Sequence, residues 1–361
     1  MSKPRIIAFY LPQFYPTPEN DEWWGKGFTE WTNVGRAKPL FKEHNQPRVP
    51  TELGYYDLRL PIVREQQSQM ARDAGVEGFC YWHYWFGNGK RLLSEVFQEV
   101  LETGKPDFPF CLGWANHSWY AKTWKKDVAD KLLCEQNYFG KKDYDAHFEY
   151  VLKAFKDERY IKVEGNPLFY IFDPQKLPDD FIPYWNNKAK ENGFDKIYFV
   201  GRIVNSDIET ILNKGFNAVV PERMGYIYEH NPLYKRIIHR TIQLLINKPR
   251  FLYDYADAAK YFVNEIDKNE YVIPQIIPQW DHSPRSATRG MILHNSTPKK
   301  FASHVEDVLN IIKNKKNKLI FLKSWNEWGE GNYMEPDLTY GRGFIDALRN
   351  TINEYNEQIV L

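Results

Sequence analysis

Over 361 residues, 48 Lys and Arg stand against 47 Asp and Glu, a formal net charge of +1. That balance excludes a bulk electrostatic grip on nucleic acid or an acidic membrane surface, and no run reaches the roughly 20 apolar residues of a membrane span. Aromatics are in excess: 12 Trp, 24 Tyr and 23 Phe make up 16%, and such rings stack on the C–H faces of sugars as well as filling a core.

The first predicted strand covers 6–14. A long loop follows with Trp23, Trp24, Phe28, Glu30, Trp31 and a Pro-rich run to Pro50; loops of that length tend to be functional. An amphipathic helix at 61–74 precedes strand two at 76–86. A helix near 91–103 leads to strand three at 108–119. After a loop with Lys122, Trp124 and Lys125 come a helix at 143–158, strand four at 167–174 and its helix at 178–192. Strand five spans 196–202, with a short helix at 206–214, and strand six spans 216–223. Residues around 225–270 read as a helical elaboration, basic in the middle. Strand seven is 271–281, helix seven 298–315, and the run Lys313 to Lys318 reads as a solvated helix end. Strand eight opens the stretch 318–336, and a helix at 341–356 closes the chain.

Strands alternating with helices imply a parallel sheet, and eight such units predict a (β/α)8 TIM-type barrel: an α/β fold, residues 1–361 as a single domain with long βα loops. A doubly wound open sheet is the rival, but no glycine-rich phosphate loop follows strand one. Three cysteines (Cys80, Cys111, Cys134) are odd in number and lack paired spacing, so free thiols in a reducing compartment are expected. The chain opens Met1-Ser-Lys-Pro-Arg5 and runs straight into a strand with no signal-like apolar region. A cytoplasmic location is the expectation.

Nearly every predicted strand ends in polar or aromatic residues, on the face where barrel enzymes gather their active sites. Position alone makes Tyr10, Trp31, Tyr81, His83, Trp114, Asn116, Trp119, Asp173, Arg202, Trp280, Asp281 and Arg285 candidate substrate-binding residues. Each can equally serve as core or as support behind a site. The acidic candidates are Glu327, Glu330, Asp173, Glu222 and Asp281. Cleaving a glycosidic bond needs a proton donor at the leaving oxygen and a second group to stabilise or capture the sugar cation. Glu327 and Glu330 make the best pair: they follow strand eight, three residues apart, in an aromatic stretch with Trp325 and Trp328. Two close carboxylates push their pKa values apart, leaving one acid and one base. A salt bridge holding the loop would also explain either glutamate. His83 and His117 lack zinc-like spacing, so no metal is expected, no cofactor is implied, and no G-x-S-x-G elbow exists.

Asn326-Glu-Trp-Gly-Glu-Gly331, followed by Met334-Glu-Pro336, resembles the strand-eight motif of glycoside hydrolase family 99, the endo-α-mannosidases and endo-α-mannanases. It is closer still to the bacterial WbsX-type proteins of O-antigen and capsule biosynthesis. Ala8-Phe-Tyr-Leu-Pro-Gln-Phe14 with Trp24, Phe28 and Trp31, and Gln279-Trp-Asp-His-Ser-Pro-Arg285, carry the likeness over essentially the whole chain. What the resemblance implies is a retaining enzyme acting on an α-linked, mannose-like glycan in surface-polysaccharide metabolism. Glu327 would deprotonate the sugar 2-hydroxyl to form a 1,2-anhydro sugar. Glu330 would protonate the leaving oxygen and then activate water. Asn326, Trp328 and Glu335 would join the substrate site. The hydrolases carry a histidine where this chain has Gly329. The rivals are a glycosyltransferase of surface-polysaccharide biosynthesis and a glycan-binding protein without turnover. The expected partner is an oligosaccharide or polysaccharide; the sequence leaves oligomeric state open.

Overall fold

The computed structural model describes residues 3–121, 130–204, 208–230 and 251–360, together with 234, 237, 241 and 249. Eight strands alternate with helices: β1 Arg5–Tyr10, β2 Gly78–Trp85, β3 Phe110–Trp114, β4 Asn166–Ile171, β5 Tyr198–Ile203, β6 Ala218–Pro221, β7 Gln275–Ile276 and β8 Leu319–Leu322. The residues group into two compact units: 1–14, 29–78 and 221–361 in one, 15–28 and 79–220 in the other.

In the first unit β8 lies between β1 and β7, parallel to both, with Ile7 opposite Phe321 and Gln275 opposite the same Phe321. β8 is Leu-Ile-Phe-Leu and wholly buried, as a strand covered on both faces requires. The helix Pro298–Ile312 starts on the Thr297 side chain, which accepts from the Lys300 N–H, with Pro298 in the first turn. It buries Phe301, Val305, Val308, Leu309 and Ile312, a three-to-four spacing that keeps one apolar stripe inward. A second cluster joins Met224, Ile227, Tyr255, Phe262, Ile277 and Leu293.

In the second unit the order is β6–β5–β4–β3–β2. β2 pairs parallel with β3, Cys80 opposite Cys111; β3 with β4, Leu112 opposite Phe169; and β4 with β5, Phe169 opposite Phe199. The helix layer of this unit supplies His147, Phe148 and Trp185, all buried. The three cysteines are free and buried.

Several predicted elements change. The helix near 91–103 is shortened to Glu95–Thr103, because Arg91–Leu92 pairs antiparallel with the end of β2. Strand seven contracts to Gln275–Ile276, since Pro274 and Pro278 bracket it and donate no ladder hydrogen bond. The elaboration is mixed rather than purely helical: Phe251–Asp254 is a strand parallel to Met291–His294, and most of the basic middle of the elaboration lies outside the described residues. The lysine run is not simply solvated. Lys315 is buried, and its ammonium donates to the carbonyl oxygens of Asp267 and Val272. Burial pulls its pKa down to about 8, against the raising fields of Glu270 and Asp267. Lys122, Trp124 and Lys125 lie outside the described residues.

Candidate active site

Beyond β8 the chain turns back on itself. Asn326–Glu327 pairs antiparallel with Asn332–Tyr333, and the turn Trp328–Glu330 makes the tip. Gly331 closes it at φ 55°. A side chain there would meet the Asp281 Cβ at 2.7 Å, so glycine is required for both backbone and space. The Asn326 amide fastens the hairpin to the end of β1, accepting from the Leu11 N–H at 2.7 Å and donating to the Leu11 carbonyl at 3.0 Å. Trp325 N–H donates to the Phe9 carbonyl at 2.8 Å.

The aromatic frame is held by a buried carboxyl. Glu335 accepts from the Trp328 indole (2.6 Å), the Gln67 amide (2.6 Å) and the Tyr56 hydroxyl (2.9 Å). Burial raises its pKa to about 7 despite these donors. Trp328 stacks on Tyr333 with centroids 3.7 Å apart and leans on Trp31 at 5.5 Å. Trp31 is tied by its indole to the Tyr56 carbonyl, and the Tyr10 hydroxyl donates to Gln67. Tyr10, Trp328, Glu335 and Asn326 are thus buried framework.

Asp281 is framework too. It accepts from His44 (2.8 Å), Gln46 (2.7 Å) and the Ser283 N–H (2.9 Å), and its own N–H donates to the Glu330 carbonyl at 2.7 Å. Burial alone would raise its pKa, yet His44 and Arg48 hold it well below the usual carboxylate range. Arg48 donates to Gln279 and to the Gly331 carbonyl. A polar cavity of about 90 Å³ adjoins Asp281, Arg48, His44 and His294 and is lined by neither glutamate of the hairpin tip.

The partly exposed groups are different ones. Glu330 pairs with Arg285, and His282 Nε2 lies 3.6 Å from it; Ser286 occupies the other imidazole nitrogen at 2.8 Å. Burial pushes the Glu330 pKa up, but Arg285, His282 and Lys323 outweigh it and hold the carboxyl well below its ordinary value. Burial works against the Arg285 charge, and Glu30, Glu330 and Glu327 more than restore it. Lys323 pairs with Glu222 at 2.9 Å while lying over the Trp280 ring at 4.8 Å. Glu327, Glu330, Glu222, Lys323, Arg285, His282 and Trp280 therefore form a charged, partly exposed cluster. Position in the sequence pointed to Glu327, Glu330, Glu222, Trp280 and Arg285. Glu30, which also binds Arg285, reads from sequence only as a residue of the long loop after strand one, where the structure has the helix Glu30–Arg36, and Lys323 reads as the end of a strand.

In the second unit, Tyr81, His83 and Trp114 point to the helix layer. Tyr81 meets Phe97, His83 Nε2 lies 2.8 Å from His147 Nε2, and Trp114 packs on His147 and Phe181. Burial, with Arg91 adding, lowers the His83 pKa to about 3. The side chain of Asn116 is used up by Tyr138 and by both main-chain groups of Asp173. Trp119 is half-buried against Trp23 and Tyr84; Asp173 pairs with Lys176; and the Arg202 guanidinium lies 3.5 Å over Phe172. Strand alternation puts Trp82, not Tyr81 or His83, with Tyr170 and Phe172 on the opposite face.

Among the described residues no group of three His, Cys, Asp or Glu is placed to hold a metal ion, and no helix is long and apolar enough to cross a membrane.

The fold is the (β/α)8 barrel. A GH99 endo-alpha-mannosidase from Bacteroides thetaiotaomicron, solved with BIS-TRIS-propane, aligns over 99% of this chain and 98% of its own with TM-score 0.60 and 14% identity. A structure described as a glycoside hydrolase-like protein aligns over 98% and 94% with TM-score 0.58, also at 14% identity. Likeness at that identity shows the fold alone. The chain belongs to the family described as glycosyltransferase WbsX, whose model matches residues 6–348. WxcX proteins of two Xanthomonas campestris pv. campestris strains, B100 and ATCC 33913, are 33% identical over 357 residues. That match covers 96% of this chain and 49% of theirs; the chain spans about half the length of these relatives.

Proposed function

We propose that this chain is a carbohydrate-active enzyme of bacterial surface-polysaccharide metabolism that breaks an α-linked, mannose-like glycosidic bond with retention. The observation that carries the reading is the hairpin beyond β8. It presents Glu327 and Glu330, neither fully buried, on one short turn, with Arg285 feeling both charges. Family membership and the endo-mannosidase-like fold support it.

Glu327 takes the proton of the sugar 2-hydroxyl as that oxygen attacks the anomeric carbon. The bond to the leaving oxygen breaks, and Glu330 gives that oxygen a proton, leaving a 1,2-anhydro sugar. An incoming hydroxyl then surrenders its proton to Glu330 and opens the anhydro ring at the anomeric carbon, and the 2-oxygen recovers its proton from Glu327. Glu330 enters this cycle as a carboxylate gripped by Arg285. Before its turn as acid that grip loosens as a sugar fills the site and the carboxylate takes up a proton from solvent; having given that proton to the leaving oxygen, Glu330 is again a carboxylate for its turn as base. Transfer to a sugar hydroxyl in place of water is the second reading, favoured by the family description. Acting on assembly intermediates fits a cytoplasmic setting.

The test is wild type, Glu327→Gln and Glu330→Gln against α-linked oligosaccharides and host surface-polysaccharide intermediates, with products read by mass spectrometry. Conversion by wild type lost in both variants supports the reading, and water or sugar in the product separates hydrolysis from transfer. Binding without conversion, equal in all three proteins, would leave a glycan receptor.

A further inference from the structure

Glu30 is the first residue of its helix, after a Thr29 cap that accepts from the Trp31 N–H and is reciprocated by Thr32. A glutamate in that position ordinarily faces solvent and complements the helix dipole. Here it is 3% exposed. One carboxyl oxygen accepts from Arg285 Nε at 3.1 Å and Nη2 at 2.9 Å, and the other accepts from the Asn33 amide at 3.3 Å. Burying a carboxylate is costly unless it is paired and hydrogen-bonded, and its ionic partner is the arginine whose remaining amino group holds Glu330. Arg285 thus bridges two acids through a planar fork.

Gly329 makes room for this. Its φ is not in the left-handed region, so its backbone does not demand glycine. Its space does: a Cβ would stand 1.8 Å from Glu30 Oε2, and 3.0 Å from both Glu30 Cδ and Arg285 Nε. The Glu30 carboxylate occupies the volume that any side chain at 329 would need.

We propose that Glu30 is a positioning residue of this site, filling the space left open by Gly329 and setting the Arg285 guanidinium against Glu330. The proposal rests on the glutamate-pair reading above for its catalytic consequence, and on the geometry alone for the Gly329–Glu30–Arg285 arrangement. A carboxylate beside Arg285 can come from position 30 or from position 329, but not from both. Two singly harmful substitutions should therefore rescue each other.

The experiment compares wild type, Glu30→Ala, Gly329→Asp and the double variant by thermal melting, by NMR of the Arg285 Nε–H, and by turnover of whichever α-linked oligosaccharide wild type converts. Glu30→Ala should lose the protected Nε–H signal and lower kcat about tenfold or more while KM changes little, as misplacing a group by about an ångström does. Gly329→Asp should melt well below wild type. The double variant should recover melting, the Nε–H signal and most of kcat; a double variant that folds where a single one does not is the same result. Additive losses in the double variant, or a Glu30→Ala protein with the Nε–H signal and kcat intact, would overturn the proposal, as would a double variant that does not fold. If wild type converts no oligosaccharide, the glycosidase reading fails, while melting and the Nε–H signal still decide the arrangement of Glu30, Gly329 and Arg285.

Discussion

The indole N–H of Trp328 donates to the carboxyl of Glu335 at 2.6 Å, seven residues along the chain and wholly out of water. This bond, with the Tyr333 ring stacked beneath, sets the tilt of the turn that carries Glu327 and Glu330. Framework and chemistry are therefore adjacent along the chain and separate in role.

Glu335 gives the fold a pH dependence. Its pKa of about 7 in the folded protein exceeds the value of about 4.3 for an unfolded glutamate. The folded state holds the extra proton, so stability from this group is complete below about pH 4 and falls as pH rises through 7. Glu335→Gln should flatten that slope in melting curves recorded from pH 5 to 8. It should also melt lower at pH 5, because an amide N–H must then face one of the donors Trp328 and Gln67, at a cost of about 1–3 kcal/mol. An unchanged slope would show that the proton resides elsewhere.

Asn326 acts as a main-chain substitute, satisfying both polar groups of Leu11. Asn326→Ala strands a buried N–H and a buried carbonyl and should cost about 3 kcal/mol, measured by urea denaturation. Asn326→Asp should cost at least as much, since its second oxygen would face the Leu11 carbonyl. A loss confined to turnover, with stability intact, would make Asn326 a substrate contact instead.

Asp281 is held below the usual carboxylate range by His44 and Arg48 against the cost of its burial. Its contribution is therefore present above the unfolded pKa of about 3.9 and lost as pH falls through the lower folded value. Asp281→Asn should lower stability at pH 7 by about 3 kcal/mol, and its deficit against wild type should shrink below about pH 4. A deficit independent of pH would mean that shape rather than charge is what Asp281 supplies.

The strands of this barrel were legible because buried parallel strands read as apolar runs, as in Leu319–Leu322. The polar turn after β8 was legible because two glutamates in a stretch with Trp325 and Trp328 make poor core. Which strand-end residues face the helix layer was harder to see. Trp114 ends its strand, while His83 lies just short of the end of β2 and Tyr81 at its middle, and pleat direction aims all three at Phe97, His147 and Phe181. Period-two alternation was available to sort them from Trp82, but it does not say which face is inward until one residue is anchored. Glu30 could not be found by pattern, since its partner Arg285 lies 255 residues away.

The proposed retaining mechanism through the sugar 2-hydroxyl is tested most directly by a paired turnover measurement. Wild type is given a convertible α-linked oligosaccharide and its counterpart lacking the 2-hydroxyl on the sugar at the cleaved bond, with the anomeric configuration of the first product followed by proton NMR. The parent compound should give the α-anomer first, and the 2-deoxy compound should stay intact. A first product of inverted configuration, or equal turnover of both compounds, would contradict the roles given to Glu327 and Glu330.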